Sequence, residues 1–254
     1  MTDHHVEGVL VAQVRWRRMT LVPLSDAGIA TVAQVLGTGD AVVLPCPSPL
    51  PYVVAARSPQ SVNGAKGRPR GQPCGRLVEP GDVAFSHLDL NEDARDFAEW
   101  AAAVELVSLL VPVTHAAPAW LRSGAPHRFA GLSAAWHPGL HPLVEQSRHL
   151  SISSANRTAR PPAVTAQEAE KAFAGRLLVL DGDGVRDRTR DHGSAVMLQI
   201  LRTGTASVVR NGVQNRGCAD DREYLRRLRR RFRAHRSEVR ADEASTTEAA
   251  EAPR

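Results

Sequence analysis

The stretch SISSANRTARPPAVTAQEA, residues 151–169, sets the reading of the whole chain. A helix would not tolerate Pro161 and Pro162. A buried strand would continue with valine or isoleucine rather than with Asn156, Arg157 and Thr158. The segment therefore reads as a strand over Leu150–Ser154 that runs out into a polar loop, offering Ser153, Ser154 and Asn156 at its end. Beyond the prolines, Thr165-Ala-Gln-Glu168 has the form of a capping box, so a helix starts there with Ala169, Ala172 and Phe173 inward. Strand ends that open into such loops are where α/β sheets place their ligands.

Upstream, Ser25 caps a helix reaching Leu36, whose Ile29, Val32, Ala33 and Leu36 share one face, and Gly37-Thr-Gly-Asp40 stops it. A short buried strand follows at 41–45. Prolines 47, 49 and 51 mark CPSPLPYVVAARSPQ (46–60) as a rigid extended loop. AKGRPRGQP (65–73) reads as a basic loop leading into a strand at Gly75–Val78. Asn91 opens a second helix, with early acids that suit the helix dipole and Ala94, Phe97, Ala98 and Ala101 inward. ELVSLLVPV (105–113) reads as a strand buried on both faces. Residues 114–142 read as mostly irregular, ending in a helical turn around Pro142–Gln146. LLVLD (177–181) is a strand ending in the turn Asp181-Gly-Asp-Gly184, and SAVMLQI (194–200) and TASVVR (205–210) form a last strand pair. After Gly217 a basic helix spans 220–236 with Leu225, Leu228 and Phe232 on one stripe. From Ser237 the polar, low-complexity end reads as disordered.

With 254 residues, 43% of them hydrophobic, the chain can fill one substantial core. No apolar run approaches the ~18 residues of a membrane helix, and the N-terminus lacks the order of a signal peptide. Cys46, Cys74 and Cys218 are scattered with no C-x-x-C pair. That argues for a reducing compartment, the cytoplasm, and against a disulfide framework or a zinc site. His4-His5 and the histidines between 115 and 149 lack metal-ligand spacing, and Asp181-Gly-Asp-Gly184 lacks the later ligands of a calcium loop.

The net charge of +5 is localised: residues 222–236 hold eight arginines against Glu223, so the rest of the chain nets about −2. Two readings stay open for this segment. One is an RNA-binding face for tRNA or double-stranded RNA through Arg226, Arg227, Arg229, Arg230 and Arg231; the other is a solvated helix docked by its apolar stripe. Lysine is nearly absent, Lys66 and Lys171 standing beside thirty arginines. Lys66 therefore marks a place where a compact ammonium could matter.

Polar clusters at strand ends, Lys66/Arg68, Ser153/Ser154/Asn156, Ser194 and Arg202, together make a candidate anion site of cations, hydroxyls and an amide. Their order forms a series: K-G-R-P at 66, W-L at 120, H-P-L-V at 141, S-A-N at 154 with P-P-x-x-T-x-x-E-A after it, L-D-G-D-G at 180, Ser194, and I-L-R-x-G at 200. This series resembles the YrdC-type threonylcarbamoyl-AMP synthase family over roughly Leu21–Val209. The resemblance implies a single α/β (α+β) domain at 21–212, with a twisted, curved mixed sheet and flanking helices around a basic cavity. An extension at 1–20, a basic helical appendage at 213–236 and a disordered tail at 237–254 complete the organisation.

The resemblance also implies a nucleotidyltransferase that condenses L-threonine, bicarbonate and ATP into threonylcarbamoyl-adenylate and pyrophosphate, for modification of adenosine 37 in tRNA. ATP is a substrate, and Mg2+ is left open. Carried over position by position, Lys66 and Arg68 match the K-x-R motif and would hold phosphate and serve catalysis. Ser154 and Asn156 match S-A-N and would contact nucleotide and carbamate oxygens. Ser194 and Arg202 would lie near the nucleotide, and Ser48, Tyr52 and Ser153 near the amino acid. Such a condensation needs alignment and neutralised charge more than a nucleophilic side chain.

Four motifs depart from the family's pattern. Pro45–Tyr52 replaces P-T-x-T-x-Y-G and has lost both threonine hydroxyls. The region Leu132–Pro138 lacks the arginine of R-x-P. Ser194-Ala-Val-Met-Leu198 lacks the threonine and aspartate of S-T-x-x-D, and Trp100-Ala-Ala-Ala103 replaces W-P-G-P. Two readings follow. One is a divergent synthase with a rebuilt acceptor loop, lined by Ser48 or Trp136. The other is a paralogue that holds nucleotide, tRNA or double-stranded RNA without synthesis.

Overall fold

In the computed structural model, which describes residues 20–122 and 126–251, ten short strands join in one mixed sheet. The extension at 1–19, with His4 and His5, lies outside the described residues. In chain order the first elements are β1 (Leu21–Pro23), α1 (Asp26–Gly37), β2 (Val42–Leu44), β3 (Val53–Ala56), α2 (Pro59–Lys66), β4 (Gly75–Leu77), α3 (Val83–Ser86) and α4 (Glu92–Ala103). Then come β5 (Ser108–Pro112), α5 (Ala119–Arg122), β6 (Phe129–Ser133), α6 (His141–Gln146) and β7 (Leu150–Ser154). The chain continues through α7 (Ala166–Ala172), β8 (Leu178–Asp181), β9 (Met197–Ile200), β10 (Ala206–Arg210) and α8 (Asp221–Glu251). The strands lie in the order β1-β8-β2-β3-β7-β4-β6-β5-β9-β10. Parallel and antiparallel pairs alternate irregularly along it.

The caps form as their side chains dictate. Ser25 Oγ accepts from the Gly28 amide, Asn91 Oδ1 from Ala94, and Thr165 with Glu168 closes a reciprocal capping box. Four readings change. Residues 46–60 are not one extended loop: the prolines end before Val53, and Val53–Ala56 is a fully buried strand paired on both sides. Ser58 and Pro59 then start α2, a proline at the first helical turn costing nothing there, so Lys66 ends a helix rather than sitting in a loop. Residues 114–142 contain β6, which the glycine at 131 hides from a propensity reading; Gly131 lies beside Gly75 across the parallel pair with β4. Finally, α8 continues to Glu251 instead of ending at Arg236. Alanine, glutamate and arginine are strong helix formers, and a docked N-terminal half extends them cheaply.

The apolar faces sort into three clusters. Phe97 and Trp100 of α4 pack with Leu109, Leu132, Leu198 and Ile200 of the sheet and with Tyr224, Leu228 and Phe232 of α8. Ile29, Val32 and Leu36 of α1 cover Leu44, Leu150 and Leu180. Val43, Val54 and Val179 point to the opposite face, under Val62 of α2 and Phe173 just past α7. The central strands are thus buried on both sides, which is why they read as unbroken apolar runs. No helix among the described residues is long and apolar enough to cross a membrane.

Candidate functional site

Seven neighbouring strands, from β3 across to β10, each contribute to the wall of one cavity of about 260 Å³, so the sheet curves around it. Its apolar lining includes Leu50, Val53, Leu109, Leu132, Ile152 and Met197. Its polar lining is Arg68, Arg210 and the serines 108, 133, 153, 154 and 194. A wider hollow of about 680 Å³ adjoins it, sharing Ser194 and walled by Pro161, Pro162 and the 211–221 segment.

The end of β7 is held from several sides. Val53 and Val54 of β3 lie opposite Ser154 and Ser153. The Ala155 amide donates to the Tyr52 carbonyl at 2.8 Å, the Ala163 amide to the Ala155 carbonyl at 2.9 Å, and the Tyr52 amide to the Ala163 carbonyl at 2.9 Å. The polar loop thus leaves the strand and returns to it. Ser154 Oγ donates to Asn156 Oδ1 at 2.6 Å, and Lys66 Nζ donates to the same oxygen at 2.9 Å and to the Ser154 carbonyl.

Gly67 divides the two cations of K-G-R. It caps α2 in the left-handed conformation, φ 64°, which glycine adopts without strain. Lys66, only 5% exposed, stays with the Ser154–Asn156 cluster, while Arg68 turns into the cavity. The Arg68 fork is fixed by Asn63 Oδ1, Ser153 Oγ and Cys74 Sγ. Three of its five N–H donors are engaged, and two stay available to a ligand.

Burial first, and then the charge of Arg68, pull the Lys66 pKa down from 10.5 to about 8, the Cys74 thiol opposing. Between those values the unfolded chain holds a proton that the folded one has lost, so this group adds stability as pH rises through that window. A bound polyanion favours the protonated amine again. Pyrophosphate affinity is therefore expected to fall from pH 7.5 to 9.5, most steeply just above pH 8, when followed by calorimetry. Lys66→Arg should flatten the profile, and a flat wild-type profile would remove Lys66 from the anion site.

Ser194 is pinned by its own backbone. Its carbonyl accepts from the Val213 amide at 2.9 Å, and Gly212 lies so close that a Cβ there would stand 2.5 Å from that oxygen. Arg210 owes its direction to a bulge: Val208 pairs with Leu198, but Arg210 pairs with Met197. Without the extra residue, Arg210 would share the core-facing side of Ala206 and Val208; with it, the guanidinium joins Met197 at the cavity. There it donates to the Ala195 carbonyl at 3.1 Å.

Of the residues singled out from sequence, Arg68, Ser153, Ser154 and Ser194 meet at the cavity, with Lys66 and Asn156 bonded behind Ser154. Arg202 does not join them. It sits between β9 and β10 with its side chain 74% exposed, paired to Asp89 at 2.9 Å, and Arg210 lines the cavity instead. Ser48 accepts from the Asp187 amide at 2.9 Å and meets His192 Nε2 at 3.1 Å, so it fastens the 187–192 loop. Tyr52 is fully buried, donating to Asp183 Oδ1 at 2.8 Å and accepting from the Gly182 amide at 3.0 Å. Trp136 packs into the apolar cluster of α1 rather than at the cavity. Sequence reasoning missed Cys46, Ser133 and Arg210; only the bulge signals the last.

Burial pushes the Cys46 thiol up to about 12, Arg186 opposing, so the thiol facing the cavity stays neutral. Among the described residues no Asp or Glu lines the cavity, and no cluster of His, Cys, Asp or Glu could hold a metal ion. The residues present do not fit a protein-held Mg2+. The site offers positive charge, hydroxyls, two thiols and shape.

No family model and no curated protein matches the chain. Solved structures do. P. abyssi Sua5 complexed with L-threonine aligns with a TM-score of 0.59 at 19% identity, over 76% of this chain and 57% of its own. The present chain thus spans little more than half the length of that protein. E. coli YciO aligns at 0.56 and 11% identity, over 76% of this chain and 94% of its own. Full-length HypF in its phosphate- and nucleotide-bound form aligns at 0.53 and 13% identity, over 74% of this chain and 24% of its own. A curved mixed sheet closing on a cavity lined by arginine and serine, aligned with these chains across three quarters of its length, makes the protein a divergent example of the YrdC-like fold of Sua5 and YciO.

Proposed function

We propose that the protein binds ATP in this cavity and forms a carbamoyl-adenylate, threonylcarbamoyl-adenylate being the product the motif series implies. The observation that carries the reading is the meeting of Arg68, Arg210, Ser153, Ser154 and Ser194 in a cavity that no Asp or Glu among the described residues lines. An amine and bicarbonate give a carbamate, losing water. A carbamate oxygen then attacks the α-phosphorus, a new P–O bond forms, and pyrophosphate leaves with the electron pair of the broken one. The attacking group is already an anion and needs no general base. Cations that neutralise the phosphoryl oxygens supply the catalysis.

The inner cavity alone is smaller than the ~300–1,000 Å³ usual for cofactor-sized ligands. The triphosphate fits the arginine end, and the nucleoside extends past Ser194 into the adjoining hollow. The threonine in the Sua5 structure and the nucleotide in the HypF structure support both substrates. Three free thiols suit a reducing, cytoplasmic setting.

The test is incubation with ATP, bicarbonate and single amino acids, following pyrophosphate release and the adenylate by mass spectrometry. A threonine-dependent adenylate is the expected result. ATP binding without turnover for any amine would overturn synthesis and favour the second reading, a nucleotide-holding paralogue. That reading has its own support, since Ser48 and Tyr52 are engaged in fastening loops rather than facing the cavity. In both readings RNA, as tRNA or double-stranded RNA, is the macromolecular partner.

A further inference from the structure

The eight arginines of residues 222–236 divide into two sets. Arg227 donates to the Gln214 carbonyl at 2.8 Å, Arg229 to the Gly204 carbonyl at 2.6 Å while lying 3.7 Å over the Phe97 ring, Arg231 pairs with Glu105 at 3.0 Å, and Arg236 with Asp93 at 2.6 Å. These four flank the buried stripe of Tyr224, Leu228 and Phe232 and fasten α8 to the domain. Arg222, Arg226, Arg230 and Arg233 are exposed. At about 100° per residue they fall within an arc of about 80° on the side of the helix opposite that stripe. Arg240 lies on the same line, and no acidic residue falls on the arc between Arg222 and Arg240.

We infer that this outer ridge is an RNA-docking surface, with Arg222, Arg226, Arg230 and Arg233 taking successive phosphates of one strand. Residues four apart on a helix stand about 6 Å apart along its axis, a pitch that suits neighbouring phosphates. Like charges held in a row without intervening acids repel one another, and a polyanion relieves that repulsion by releasing its condensed counterions. Two other occupants fit less well. A membrane-surface helix lays an apolar face into the lipid, and the apolar face of α8 is already buried against Phe97 and Trp100. A protein interface of standard kind is centred on apolar or aromatic anchors, which the ridge lacks. The assignment to RNA rather than DNA rests on the proposed function; the phosphate chemistry does not.

The experiment uses the full chain and fluorescence anisotropy with an unmodified tRNA transcript, a short RNA duplex and a DNA duplex of the same sequence, over a salt series. In the variant carrying Arg222→Gln, Arg226→Gln, Arg230→Gln and Arg233→Gln, the slope of log affinity for RNA against log salt should become shallower by about 3 units. Its melting temperature and its adenylate formation should match the wild type, because none of these side chains touches core or cavity. Arg227→Gln with Arg231→Gln should do the reverse, lowering the melting temperature while keeping most of the slope. An unchanged slope in the ridge variant, or a wild type that binds phosphatidylserine vesicles but no RNA, would overturn the inference. Equal affinity for the DNA duplex would overturn the assignment to RNA. Loss of adenylate formation in every protein, with the RNA slopes as expected, would sink the synthase reading and leave the ridge standing.

Discussion

Phe232→Ala is expected to lower the free energy of unfolding by about 3–5 kcal/mol. Phe232 is 6% exposed, and its ring lies 5.3 Å from both Phe97, edge to face, and Trp100. Aromatic pairs in such geometries add to the burial itself. A loss of that size should lower the melting temperature by roughly 10 °C. Leu225→Ala, two turns earlier on the half-buried edge of the same stripe, should cost under about 1.5 kcal/mol. Urea titration followed by near-ultraviolet dichroism would separate the two. Equal, small effects would mean that α8 does not dock as described. The same packing makes truncation after Gly217 a poor probe of RNA binding, since it strips Tyr224, Leu228 and Phe232 from the core together.

What could be read from the sequence was whatever local chemistry decides. Ser25, Asn91 and Thr165 are caps because their side-chain oxygens reach amides three residues on, and no tertiary contact is needed to see it. Leu150–Ser154 ends where its apolar residues run out, which the stretch 151–162 states directly. What could not be read depends on distant partners. Val53–Ala56 is a strand because β2 and β7 flank it, and the prolines before it obscured that. Phe129–Ser133 looks like a loop until Gly131 meets Gly75.

The site divides in the same way. K-G-R and S-A-N are close-range motifs, and Arg68, Ser153 and Ser154 line the cavity. Arg210 could not be placed at the cavity without the β10 bulge, because one slipped residue exchanges the two faces of the strand, whereas Arg202 falls in the turn before that strand. The arginines of α8 all look alike in the sequence. Only the docked geometry separates the four that hold the helix from the four that face outward.

Arg68→Ala is expected to weaken ATP binding by about 100-fold, the loss of charge-assisted hydrogen bonds worth about 1.5–3 kcal/mol. The side chain reaches the cavity with its fork already oriented by Asn63, Ser153 and Cys74, so little ordering remains to be done when a phosphate arrives. Arg68→Lys keeps the charge but not the fork, and should recover only part of the affinity. Folding should suffer less than binding. Asn63 is fully buried, but its amide still bonds the Arg70 and Gln72 carbonyls, and its oxygen still lies 3.4 Å from the Cys74 sulfur. Calorimetry with three ligands locates the defect. Pyrophosphate and ATP should lose affinity together while adenosine keeps its own, since the nucleoside is assigned to the hollow beyond Ser194. If adenosine binding falls as far as pyrophosphate binding, Arg68 is shaping the cavity rather than holding phosphate. If neither falls, the anion site lies elsewhere, and Arg210, brought to the same wall by its bulge, becomes the cation to remove next.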